Sequence, residues 1–266
     1  MAREKLKNLI ILILVLVNLF LLALVVPKQL DAKRRQQQAN EALSALYAQA
    51  GVTLQWQDIP QAEPASALQL PAPDGLACLR VLLGDDLLTT ADGSVTSPRG
   101  SAVILDGGEI SVTLTDGEAV ADKEAFAKNL LDDMDTEYHT ITSEGDTVTA
   151  TICAEGLPLL TKSMVLTFEN DKLVGGHGLP AGKNTAFSTG SKTGTSAADA
   201  LMAFLRSRLD IGWMGSTVLA VTQGYDCAWD AVRQTWVLSP AWQISTDSGN
   251  YLVDAQTGAV KNVTQM

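Results

Sequence analysis

The stretch SPAWQISTDSGNYLVDAQTGAV, residues 239–260, decides the fold class. It reads as strands at about 241–245 and 250–254, with a last one near 259–263, separated by Asp247-Ser248-Gly249-Asn250 and Gln256-Thr257-Gly258. Gly and Asn tolerate positive φ, and Asp and Ser side chains bond to nearby backbone, so both separators are turns. Upstream, strands are expected at about 216–223 and 234–238. Before them comes a helix: Ser196-x-x-Asp199 fits a capping box, and Leu201, Phe204, Leu205 and Leu209 form an apolar stripe. A helix followed by an antiparallel meander is the unit of an α+β protein.

The same order occurs about 75 residues earlier. Asp122 is placed to cap a helix over roughly 122–134, with Phe126, Leu130 and Met134 on one face. Strands near 137–142 and 146–152 flank Glu144-Gly145, and MVLTF and KLV flank Glu169-Asn170-Asp171. Before that helix, CLRVLL (78–83) reads as a strand, and SAVIL and EISVTL flank Asp106-Gly107-Gly108 as a hairpin. The expected architecture is therefore an N-terminal transmembrane helix followed by two helix-plus-antiparallel-sheet units. Its divisions are an anchor with a short cytoplasmic leader (1–28), a helical stalk and Pro/Ala-rich linker (29–75), a first unit (76–178), a Gly/Ser/Thr/Lys-rich linker (179–195) and a second unit (196–266).

The anchor rests on LIILILVLVNLFLLALVV, residues 9–26, which carry no charge. At 1.5 Å per residue the run spans roughly 27 Å, close to the hydrocarbon thickness of a bilayer. It is longer than the apolar core of a cleaved signal, and Pro27, Lys28 and Gln29 offer no small-x-small cleavage site. A short basic leader before the run, with a long acidic body after it, suggests a cytoplasmic N-terminus and an extracytoplasmic body at the cell membrane. Asn18 is the one polar residue in the run; its amide can contact a partner's transmembrane helix or find a local backbone carbonyl. Beyond it, Leu43, Leu46, Tyr47 and Ala50 fall at helical spacing, and Gly51 is placed to end that helix.

Charge divides the chain at the same place. Up to Arg35 there are seven basic and two acidic residues; from Gln36 onward there are 12 basic and 28 acidic. An acidic body repels phosphate backbones, which argues against nucleic acid as a partner. Cys78, Cys153 and Cys227 are too far apart for a zinc knuckle or CxxC motif. Asp132, Asp133, Asp135 and Glu137 lack the glycine turn and distant glutamate of a calcium loop. Gly178-Leu-Pro-Ala-Gly182-Lys183-Asn184 is one residue short of a phosphate loop, and Lys192-Thr193-Gly194 has no Ser-x-x-Lys elsewhere in the chain. His139 and His177 are isolated. No catalytic, cofactor-binding or metal residues are assigned, and the expectation is a protein that is not an enzyme and needs no cofactor.

The aromatic residues carry more. Trp213, Tyr225, Trp229, Trp236, Trp242 and Tyr251 put six of the nine Trp and Tyr in the last 54 residues. They make either a β-rich core or an exposed patch that docks another protein. Trp242 and Tyr251, on facing hairpin strands, suit either use and are the candidate interaction residues together with Asn18.

Taken with the basic leader and the KxKNLIILILVLVNLFLLALVV helix, the closing SPAWQISTDSGNYLVDAQTGAV resembles the YycI branch of the YycH/YycI family. Its members are membrane-anchored accessory regulators of the WalK–WalR two-component system. The closing hairpin is also similar to the end of a PepSY-type domain. The resemblance covers the anchor and chiefly residues 196–266. It implies a regulator of a sensor histidine kinase that acts by protein–protein contact, with its transmembrane helix beside those of the kinase. Its body would contact the kinase's extracytoplasmic domain and a YycH-like partner. The alternative is an anchored PepSY-like inhibitor or chaperone of a secreted or envelope peptidase, bound through the aromatic hairpin.

Overall fold

The computed structural model describes residues 40–263 except 56–58, 62, 64, 92, 116, 118, 184 and 191–193, together with Leu14 and Gln38. The run 9–26, with Asn18, lies outside the described residues apart from Leu14, as do Trp56, Lys192 and Thr193. Among the described residues no helix is long and apolar enough to cross a membrane. The described chain is α+β, with one large, mostly antiparallel sheet.

Three times a helix is followed by a four-stranded antiparallel meander. Helix α1 (40–49) and the short strands β1 (Thr53–Leu54) and β2 (Leu68–Pro71) come first. Then α2 (Gly75–Leu83) leads into β3 (Leu88–Thr89), β4 (Ser94–Ser97), β5 (Gly100–Ile104) and β6 (Ile110–Leu114). Helix α3 (Lys123–Asp133) leads into β7 (Tyr138–Glu144), β8 (Thr147–Ala154), β9 (Leu157–Glu169) and β10 (Lys172–Gly178). After β11 (Phe187–Ser188), α4 (Ala197–Ser207) leads into β12 (Thr217–Asp230), β13 (Thr235–Thr246), β14 (Gly249–Asp254) and β15 (Val260–Val263).

The first two meanders join through β6 and β10 into one antiparallel run, β3-β4-β5-β6-β10-β9-β8-β7. The third attaches by a parallel contact of β12 with β9, where Tyr225 faces Leu159, and β1 adds to β12 in parallel. Two cores result. The larger is mostly aliphatic and gathers Leu79, Leu83, Ile110, Leu131, Ile152, Met164 and Phe168. The smaller holds Tyr47, Phe204, Trp213, Trp242, Ile244 and Tyr251.

Local chemistry accounts for most elements. The Asp122 carboxylate accepts from the Glu124 and Ala125 N–H groups at the start of α3. Ser196 Oγ accepts from Asp199 N–H and donates to its carboxylate, 2.7 Å away, at the start of α4. Ile110, Val112 and Leu114 alternate inward as expected, and so do Val148, Ala150 and Ile152.

Four expectations require correction. Residues 78–83 are not a strand but the body of α2: the Asp74 carboxylate accepts from Ala77 N–H, and Gly75, Cys78, Leu79, Leu82 and Leu83 fall on one buried helical face. The stretch assigned to a linker ahead of residue 75 contains β2, which pairs with β13 while Leu68 and Leu70 enter the larger core. The separate strands at 234–238 and 241–245 are one strand, β13, which runs through Pro240. Leu209 lies past the end of α4 and is 85% exposed.

Candidate interaction surfaces and the seam between the cores

The aromatic hairpin faces inward. Trp242 is fully buried and its Nε1–H donates to Thr195 O at 2.9 Å, which ties β13 to the segment entering α4. Tyr251 is 4% exposed, opposite Ile244 on β13, with its ring 5.1 Å from that of Phe204. The aromatic hairpin therefore resolves to core at both positions, because α4 lies across this face of β13–β15. Neither ring presents a surface to a partner. The third candidate, Asn18, lies outside the described residues.

Helix α1 is built into the same core. Leu43 and Tyr47 are buried, and the Tyr47 hydroxyl donates to Leu201 O at 2.7 Å. Burial holds that phenol well above its ordinary pKa, so it stays protonated as a donor. At the end of the helix, Gly51 takes φ 73 as expected, and Arg208 donates to Ala50 O at 2.9 Å. The Arg208 guanidinium also lies 5.0 Å from the centre of the Trp213 ring. Beside it Leu209 and Met214 stand out from the loop after α4, Met214 at 86% exposure. This corner is apolar surface next to α1, and spacing alone had placed Leu209 in the core instead.

A second constellation joins the two cores. The far end of the β12–β13 hairpin leaves the smaller core and enters the larger one with Tyr225, Trp236 and Leu238. Trp236 Nε1–H donates to Gly107 O at 2.9 Å. The Lys162 ammonium sits 4.9 Å from the centre of the Trp236 ring and 2.6 Å from Glu109 Oε1. Gly107 has φ 79, and a Cβ there would lie 2.6 Å from the indole, so only glycine fits. No signal in the sequence connected Gly107, Lys162 and Trp236, which are brought together by strand pairing alone. Cys227 lies here too; burial pushes its thiol up to about 12, and it is inert as a nucleophile at neutral pH.

The acidic run beyond α3 is tied off locally: Lys183 pairs with Asp132 at 3.0 Å. Among the described residues no group of three or more His, Cys, Asp or Glu side chains is placed to hold a metal ion.

No protein-family model matches this chain, and no curated protein matches it. Among solved structures it is similar to an uncharacterized protein from Eubacterium rectale ATCC 33656, with a TM-score of 0.51 at 11% identity. The match covers 75% of this chain and 86% of that one. At this identity the likeness concerns the fold alone.

Proposed function

We propose that this protein is a membrane-anchored, extracytoplasmic accessory regulator of a sensor histidine kinase, of the kind found in the YycH/YycI family. It acts by contact through its transmembrane helix and its body, with a YycH-like protein as a further partner. The observation that carries the reading is the attachment of α1. The charge-free run 9–26 precedes α1 in sequence, and α1 is fastened to the body by Leu43, by the Tyr47–Leu201 bond and by Arg208 on Ala50 O. A displacement of α1 would then reach the body through packed side chains. A regulator of this type biases a kinase between two states by contacting one of them better than the other. Asn18 supplies a hydrogen-bonding group within the membrane for that contact, and the Leu209–Met214 corner supplies apolar surface beside α1. The reading as a peptidase inhibitor depended on an exposed aromatic hairpin, and Trp242 and Tyr251 are core residues.

The test is photocrosslinking from position 18 in native membranes. Capture of a histidine kinase is expected, and residues 1–35 alone should retain much of that binding. Full kinase control by a chain whose run 9–26 has been replaced with an unrelated transmembrane helix would overturn the mechanism.

A further inference from the structure

One edge of the sheet is long and bare, and the geometry points to its pairing with the same strand of a second copy of this chain. Among the described residues β1, β3, β7, β11 and β15 each pair on one side only. Strands β1, β3 and β11 are two residues long, and β15 has four with Lys261 among them. Short strands and lysines are how a fold keeps an edge from pairing with other chains. Strand β7 has seven residues, YHTITSE, with neither lysine nor proline. Its register with β8 shifts between Tyr138 and Thr140, and residues 140–144 then pair with β8 one to one.

The turn fixes which main-chain groups of that stretch are free. Gly145 and Asp146 make a two-residue turn, with Gly145 at φ 61, and Glu144 and Thr147 close it. Such a closing pair exchanges both of its hydrogen bonds, and the pattern alternates along the ladder. Thr142 and Thr140 therefore bond to β8, whereas the N–H and C=O groups of Ile141 and Ser143 point to the open edge. A second β7, running antiparallel about a two-fold axis at Thr142, meets these groups in register. Ile141 stands opposite Ser143 of the second copy, and Ser143 opposite its Ile141, with two main-chain hydrogen bonds at each pair. Thr142 faces its own counterpart, a threonine pair of the kind that stabilises antiparallel strands. Glu144, the one acidic residue of β7, faces Thr140 of the second copy, so no like charges are opposed. Ile141, half-buried against the larger core, lies diagonally beside its counterpart and gains apolar cover from it. An unrelated strand would satisfy the main chain alone, whereas a second copy also matches the threonine, isoleucine and charge pattern. The contact is isologous and closes at two chains. Five residues a side make less than the ~1,200 Å² of a standard interface, so the association is reversible. It does not depend on the kinase reading.

The test is disulfide crosslinking of the full chain in detergent micelles. At the axis the two Thr142 Cα atoms would lie about 4.5 Å apart, within reach of a disulfide. Two Glu144 positions would lie four residues apart along the strands, roughly 14 Å. Oxidation with copper–phenanthroline should therefore join Thr142→Cys chains into dimers and leave Glu144→Cys chains and the parent single. Both substituted positions are exposed, and the native Cys78 and Cys153 are buried with Cys227 half-buried, so the background is low. Ser143→Pro removes an N–H that β8 does not use. Its thermal unfolding should match that of the parent, while self-association by sedimentation equilibrium weakens about ten-fold. No crosslink from position 142, equal crosslinking from 142 and 144, or self-association undiminished by Ser143→Pro would each overturn the pairing. So would capture, in native membranes, of a different protein by Thr142→Cys in place of its own copy.

Discussion

The two cores solve the same problem with different materials. Around α3 an eight-stranded run provides enough surface for an aliphatic interior, in which Leu, Ile and Val predominate. Around α4 only β12 to β15, β1 and α1 are available, and the interior is built on Tyr47, Phe204, Trp213, Trp242 and Tyr251. An aromatic ring buries about 150–250 Å², so a few rings supply what a thin layer of strands cannot. The indole N–H of Trp242 and the hydroxyl of Tyr47 are then spent on distant carbonyls, Thr195 O and Leu201 O. The smaller core thus holds its parts together with directional bonds as well as with apolar area. The β12–β13 hairpin belongs to both cores, and this makes the contrast testable.

The largest effect should come from Trp242→Ala. Removing a fully buried indole costs about 3–5 kcal/mol, measured by denaturant unfolding. Because β13 also carries Trp236 and Leu238 into the other core, Cys78 and Cys153 should become reactive to a thiol reagent in the same transition. A separate, later exposure of those thiols would show that the cores unfold independently. Trp236→Phe keeps a ring at the seam but strands Gly107 O, and should cost about 1–3 kcal/mol. Tyr47→Phe removes only the bond to Leu201 O, for a loss of about 0.5–1.5 kcal/mol. If it also loosens α1, limited proteolysis near residue 50 should quicken while the larger core stays protected.

The smallest effect concerns acid. Backbone bonds from Ser216, with its hydroxyl, and from Thr217 hold the Asp247 carboxyl below its ordinary value of 3.8 in the folded chain. A depressed folded pKa gives stability that is present above the unfolded value and is lost as pH falls through the folded one. Asp247→Asn should therefore flatten the dependence of the melting temperature on pH below about 4, relative to the parent, with less difference in slope above it.

The parts legible in the sequence were those fixed by neighbours along the chain. The caps at Asp122 and Ser196, the Asp106-Gly107-Gly108 turn and the alternation in β6 and β8 follow from residues a few positions apart. Five apolar residues and one arginine at 78–83 suit a strand or a helix equally, and the Asp74 cap that decides between them lies outside the run. Strand β2 was hidden because its hydrogen-bonding partner is Thr235–Leu238, near the other end of the chain.

The pairing of β2 with β13 has a consequence for synthesis. Leu68 and Leu70 are made early, yet the four-residue strand partner Thr235–Leu238 of their segment is made near the end. Until then only the two-residue pairing with β11 is available to it, and exposed apolar edges are the points from which newly made chains aggregate. The contacts that close both cores are long-range, and closure of this kind is slow. The last stretch to be translated therefore contributes to both cores at once: a chain truncated before residue 235 would lack Trp236 and Leu238 from the larger one and Trp242, Ile244 and Tyr251 from the smaller.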